Sequence, residues 1–154
     1  MSENLTFKSL GLRDYDDTWQ SMKSHIREED FKNEIWFIEH PPVFTLGTAA
    51  DQKHILKPKD IPVVQSERGG EVTYHGPGQL VIYFMIDVKR SKLGPKTLVK
   101  SLQEFTKSLL KEYSIDSKFI DGAPGVYVNE KKIASIGLRI SKGKTYHGIS
   151  INVD

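Results

Sequence analysis

The chain has 154 residues and no cysteine. That absence excludes disulfides, thiolate metal sites and a thiol nucleophile supplied by these residues. Long apolar runs are missing too: no stretch approaches the roughly 18 residues that a membrane-spanning helix needs. The N-terminus, MSENLTFKSLGLRDYDD, is polar and acidic and lacks the basic start and apolar stretch of a signal peptide, which predicts a cytoplasmic protein. Strong charge of one sign is lacking as well. A net charge of +2 does not mark a nucleic-acid binder. Its distribution is uneven, with Asp14, Asp16, Asp17, Glu28, Glu29 and Asp30 early and Lys131, Lys132, Arg139, Lys142 and Lys144 late. A basic C-terminal face suits either an acidic partner or plain solvent, and charge alone favours solvent.

What is present fits one α+β domain over residues 1–154: a mixed, mostly antiparallel sheet with packed helices. Asp14 is placed to cap a helix over 14–29, in which Tyr15, Trp19, Met22 and Ile26 recur at helical spacing. A second helix is expected over 96–113, with Leu98, Leu102, Phe105 and Leu109 on one stripe. Residues 35–38, 43–46, 62–64, 80–88 and 119–120 read as strands, and 48–60 as a loop. Two hairpins follow, 126–128 with 133–136 and 138–140 with 146–153. The sheet is expected to contain 80–88, 126–136 and 138–153. Residues 149–154 alternate like a strand with nothing after them to cover it, which predicts a domain incomplete at its C-terminus.

The densest chemistry lies in Arg68-Gly69-Gly70-Glu71-Val72-Thr73-Tyr74-His75-Gly76-Pro77-Gly78-Gln79. Four glycines in this stretch let backbone approach a ligand, Arg68 offers a planar charged fork and His75 a titratable ring. The string is neither a P-loop nor a dinucleotide fingerprint. Read on its residues alone, it is as well explained by two tight turns around a strand as by a binding loop. His147 is a further hydrogen-bonding residue, and no set of histidines has metal-ligand spacing.

Three ordered blocks, RGGEVTYHGPGQLVIYFMIDV, GAPGVYVNEKKIASIGLRI and KTYHGISINVD, resemble the lipoyl(octanoyl) transferases, as does the earlier HPPVFTLG. The resemblance implies the catalytic fold of biotin and lipoate ligases. It implies transfer of an octanoyl or lipoyl group from acyl carrier protein to a lysine of a lipoyl domain, through a cysteine thioester, with no ATP, cofactor or metal. The implied acceptors are the lipoyl domains of 2-oxoacid dehydrogenases and the glycine cleavage H protein, with no nucleic acid or membrane. By the same resemblance, Arg68, Gly69, Gly70, Glu71, Val72, Thr73, Tyr74 and His75 contact substrate, together with Ser135, Ile136, Gly137, Gly148, Ile149 and Ser150. Lys132 is the catalytic lysine beside the nucleophile.

In that family the cysteine sits in a Pro-Cys-Gly string shortly beyond the position of Asn152, so this chain is expected to be inactive as it stands. A non-catalytic acyl- or lipoyl-domain-binding module is the alternative. Physically, a cation near a thiol lowers its pKa from about 8.5, and a desolvated lysine is a candidate base. Ser135 is a poor substitute nucleophile, because residues three apart on a strand face opposite sides.

Overall fold

The computed structural model describes residues 4–154. Helix α1 (Tyr15–His25) begins where Asp14 accepts the Asp17 amide at 3.1 Å, with Asp16 and Asp17 in its positive first turn. It stops four residues short of the expected 29. Glu28, Glu29 and Asp30 would have put negative charge at its negative end. The chain instead turns, with His25 held between the Glu28 carboxylate and the Lys32 carbonyl.

Ten strands run β1 (Thr6–Leu12), β2 (Glu34–Glu39), β3 (Val43–Leu46), β4 (Val63–Gln65), β5 (Val72–His75), β6 (Gln79–Met85), β7 (Lys118–Ile120), β8 (Ala123–Val128), β9 (Lys131–Ser141) and β10 (Lys144–Asn152). Helix α2 (Pro95–Glu112) lies between β6 and β7. Seven strands form one sheet in the order β1-β2-β6-β10-β9-β8-β7, antiparallel except for β1 with β2. The remaining three form a second sheet, β4-β3-β5. A single sheet was expected. Pro41 and Pro42 have no amide to donate, so they end the ladder after β2 and let β3 leave the large sheet. The edge strand β1 had not been read from the sequence, because TFKSLGL is exposed along most of its length and carries no apolar alternation.

Residues 131–141 form one strand rather than two short ones. It is flanked by two-residue turns in which Asn129 and Glu130, then Lys142 and Gly143, take left-handed φ, as primed hairpin turns require.

Alternation along the large sheet sorts side chains onto two faces. One face carries Ile82, Ala134, Ile149 and Ile151 under α2. The buried stripe of that helix is Leu98, Leu102, Thr106 and Leu110, while Phe105 stays 47% exposed; the true stripe is rotated from the expected one. The other face carries Trp36, Ile38, Val81, Tyr83 and Met85 under Met22 and Ile26, the second of which caps α1. Among the described residues no helix is long and apolar enough to cross a membrane.

Candidate functional site

A cavity of about 280 Å³ opens on the α1 face of the large sheet. Its floor is set by strand register. Gly137 on β9 pairs with Gly148 on β10, which pairs with Tyr83 on β6; one row along, Ser135 pairs with Ser150 and Ser150 with Val81. Cross-strand partners share a face, so the glycine row leaves a trough that side chains would fill. A Cβ added at Gly137 would lie 2.6 Å from the Gly69 carbonyl oxygen, and one at Gly148 would lie 2.2 Å from the Ile82 carbonyl oxygen. Neither position admits any other residue without moving backbone.

The roof is the glycine-rich stretch. The Gly69 amide donates to the Leu138 carbonyl at 3.0 Å and so docks the loop across β9. From above, the amides of Gly47, Thr48 and Ala49 donate to the carbonyls of Glu71, Arg68 and Gly70. Arg68 is the clamp. It is 7% exposed, and its donors reach Thr45 Oγ1 (3.1 Å from Nε, 2.8 Å from Nη2) and three carbonyls at 2.9 Å, those of Thr45, Gly69 and Glu71. No carboxylate among the described residues pairs with it at ion-pair distance. Burial therefore acts on an uncompensated cation, and its pKa is lowered.

That charge and burial keep the nearby imidazoles neutral. Burial, aided by His40 and Arg68 and opposed by a hydrogen bond to Gln79, pushes His75 down to about 4. Burial, then Arg68 and His75, push His147 down to about 3. The His75 Nδ1–H donates to Gln79 Oε1 at 2.6 Å, since the Gln79 amide nitrogen is already donating to Tyr74 O and Asn152 Oδ1. His40, also lowered by burial, must donate from Nδ1 to the Arg13 carbonyl at 2.7 Å, so its Nε2 accepts the Tyr83 hydroxyl at 2.6 Å. His147 is 1% exposed, holds a left-handed φ of 65°, and among the described residues neither ring nitrogen has a partner.

The structure gathers most of the residues singled out from the sequence around this one cavity: Arg68, Gly70, Glu71, Val72, Thr73, His75, Lys132, Ser135, Ile136, Gly137, Gly148, Ile149 and Ser150 all line it. Two do not. Gly69 is spent on docking the loop, and Tyr74 is 45% exposed, turned from the cavity to pack on Phe44 at 5.4 Å. The cavity also includes Tyr15, Val81 and Tyr83, which sequence reasoning assigned only to helix or strand core.

Lys132 corrects one expectation. In the ladder, Val126 pairs with Ala134 but Tyr127 with Lys132, so β9 carries one extra residue, Ile133. This bulge resets the alternation and turns Lys132 to the cavity face that Ser135 also occupies. Simple alternation would have put them on opposite faces. Lys132 is nevertheless solvent-exposed, so it sits at the mouth and is not desolvated.

Among the described residues no group of three His, Asp or Glu side chains is arranged to hold a metal ion. The chemistry on offer is a half-apolar trough with a buried cation and neutral imidazoles inside and an ammonium at the mouth. This suits an uncharged, largely apolar ligand with a polar end toward the mouth.

The scaffold is shared with ligases of lipoate and biotin. It superposes on a bipartite lipoate protein ligase with its E2 lipoyl domain from Thermoplasma acidophilum at a TM-score of 0.68 and 15% identity, covering 98% of this chain and 62% of that one. It superposes on the biotin protein ligase from Aquifex aeolicus at 0.57 and 17% identity, covering 96% of this chain and about half, 51%, of that one. In sequence the chain is 50% identical over 155 residues to the octanoyltransferase of Shewanella frigidimarina, covering 99% of this chain and 72% of that protein. The chain belongs to the lipoyl protein ligase A/B catalytic domain family, which matches residues 15–154. Relatives such as the Shewanella protein, by their names, make it an acyltransferase by family.

Proposed function

We propose that this chain is the acyl-holding scaffold of an octanoyltransferase acting in protein lipoylation in the cytoplasm. The observation that carries the reading is the convergence of the glycine-rich roof, the Gly137–Gly148 trough and Lys132 on one cavity. The donor is octanoyl-acyl carrier protein, and the acceptor is a lysine of a lipoyl domain, as in 2-oxoacid dehydrogenases and the glycine cleavage H protein. Arg68 holds the roof, Gly70 to Thr73 and His75 border the acyl chain, and Ser135 to Gly137 with Gly148 to Ser150 form the floor.

The nucleophile is a cysteine of a Pro-Cys-Gly segment outside this sequence. Its thiolate attacks the thioester carbonyl, the bond to the phosphopantetheine sulfur breaks, and that sulfur leaves as a thiolate that takes up a proton. The acceptor lysine amine then attacks the enzyme thioester, its nitrogen gives up a proton to solvent, an amide forms, and the cysteine thiolate is released. Lys132, exposed at the mouth, acts as a solvated cation that favours the thiolate.

The second reading is a non-catalytic acyl- or lipoyl-domain-binding module built on the same cavity. One experiment separates the two. Incubated with octanoyl-acyl carrier protein, the 154-residue chain is expected to form no hydroxylamine-labile adduct by intact mass. The chain extended through a Pro-Cys-Gly segment is expected to form one, and Lys132→Ala in that longer protein to slow acylation by at least tenfold, the scale of a single proton-transfer or charge contribution to catalysis. Octanoyl transfer at full rate by the cysteine-free chain would overturn the thioester route, and an extended chain that binds but never acylates would favour the module.

A further inference from the structure

The surroundings of Lys132 hold its side chain on a defined path. On the cavity face its stem crosses Gly125: a Cβ added there would lie 3.3 Å from Lys132 Cε and 3.4 Å from Cδ, and 2.5 Å from the Ala134 carbonyl oxygen. Gly125 holds a φ of 116°, a conformation open to glycine and hardly to other residues. Beyond it, Lys132 Nζ lies 5.7 Å from the centroid of the Tyr127 ring, within the range at which a ring face attracts an ammonium. The ring is 8% exposed, and its hydroxyl donates to the Pro124 carbonyl at 3.3 Å, which fixes its far end. Tyr127 is also the residue paired with Lys132 across the bulge.

We propose that Gly125 and Tyr127 are positioning residues for Lys132: a slot over a missing side chain and an aromatic face that together hold the ammonium at the cavity mouth while it stays in water. The proposal rests on the reading of Lys132 as the cation at the reacting end. It accounts for an otherwise awkward combination. An exposed lysine samples many rotamers, yet a group that tunes a thiol must stand in one place. The bulge chooses the face, the slot chooses the path, and the ring chooses the end point.

The test uses the 154-residue chain, reductively dimethylated with carbon-13 formaldehyde, with the Lys132 signal assigned by its loss in Lys132→Arg. The Lys132 N-methyl protons should lie upfield of the other lysines through the ring current of Tyr127, a result that needs no altered fold. Tyr127→Phe should keep that shift, and Tyr127→Leu should return the signal to the position of the free lysines. In the protein extended through Pro-Cys-Gly, Tyr127→Leu should lower kcat for acyl transfer about two- to fivefold, the worth of an exposed cation–π contact, with KM for the acyl donor unchanged and Tyr127→Phe at the wild-type rate. A Lys132 signal already among the free lysines in the wild type overturns the proposal, and so does a loss in Tyr127→Phe as large as in Tyr127→Leu. An upfield Lys132 signal, combined with undiminished transfer by Lys132→Ala, supports the slot and overturns the role given to Lys132 above.

Discussion

Arg68→Met is expected to destabilise the fold by about 3 kcal/mol or more, one of the larger costs a single substitution produces. Three carbonyls, those of Thr45, Gly69 and Glu71, take hydrogen bonds from this one guanidinium. A buried acceptor left without a donor costs about 1–3 kcal/mol. Against that stands the relief of removing a buried cation with no carboxylate partner, since desolvating a charge is itself costly. The acceptors win: the Glu71 carbonyl keeps the Gly47 amide, but the Gly69 carbonyl and the buried Thr45 Oγ1 lose the guanidinium, and the thioether offers them nothing. Arg68→Lys is expected to recover little, since a single ammonium cannot span Thr45 on β3 and both ends of the glycine loop. Denaturant titration checks this. At roughly 2–4 °C per kcal/mol for a chain of this size, the thermal midpoint should drop by about 10 °C. A change below about 1 kcal/mol would mean that the loop stands without its clamp.

Acid is expected to have a comparable effect. His75 and His147 titrate near 4 and 3 in the folded protein, against about 6.5 in an unfolded chain. Both folded values are depressed, so the unfolded state takes up protons first as pH falls below 6.5. The stability these residues contribute as neutral groups is whole at pH 7 and above, and it drains away between pH 6.5 and their folded values. By pH 5 each accounts for about 2 kcal/mol of loss, and His40, lowered by burial, acts in the same direction. Glu34 is a separate matter. Burial pushes its carboxyl up, but the hydrogen bonds from Trp36 and Lys8 win and its pKa is lowered. Its stabilisation is therefore lost only below the ordinary carboxylate range. Unfolding midpoints between pH 7 and 5 isolate the histidines. His147→Asn, which tolerates the left-handed φ at that position, should flatten the profile in part, leaving the share of His75 and His40. A flat wild-type profile over that window would contradict the buried, neutral imidazoles.

The sequence made some features legible and hid others for physical reasons. Helix α2 and the apolar β6 strand are legible within a few residues, because their periodicities are strong and local. Strand β1 was missed, since an exposed edge strand with Lys8, Ser9 and Gly11 has no pattern to show. Division into two sheets depended on Pro41 and Pro42, which mark a break without saying where the chain goes next. In the site, motif reading found the loop and both floor segments, yet it placed Tyr74 and Gly69 at the cavity. A motif records which residues occur together and not which way each one points. The facing of Lys132 depended on one extra residue in β9, visible only in the pairing with β8. Tyr15 and Tyr83 could have been suspected only as buried tyrosines whose hydroxyls need partners, here Ser66 and His40.

On the proposed function, the cavity between the glycine-rich roof and the Gly137–Gly148 trough receives the acyl chain. Amide chemical-shift mapping tests it most directly, by titrating octanoyl-pantetheine into the nitrogen-15-labelled 154-residue chain, which has no thiol to react. Saturable shifts are expected, centred on Gly70, Thr73, Gly137, Gly148 and Ser150, with little change in β1 or at the exposed end of α2. Shifts centred instead on the second cavity, of about 250 Å³ and lined by Lys8, Arg13, Asp17, Ser21 and Trp36, or none at all at millimolar ligand, would overturn that reading.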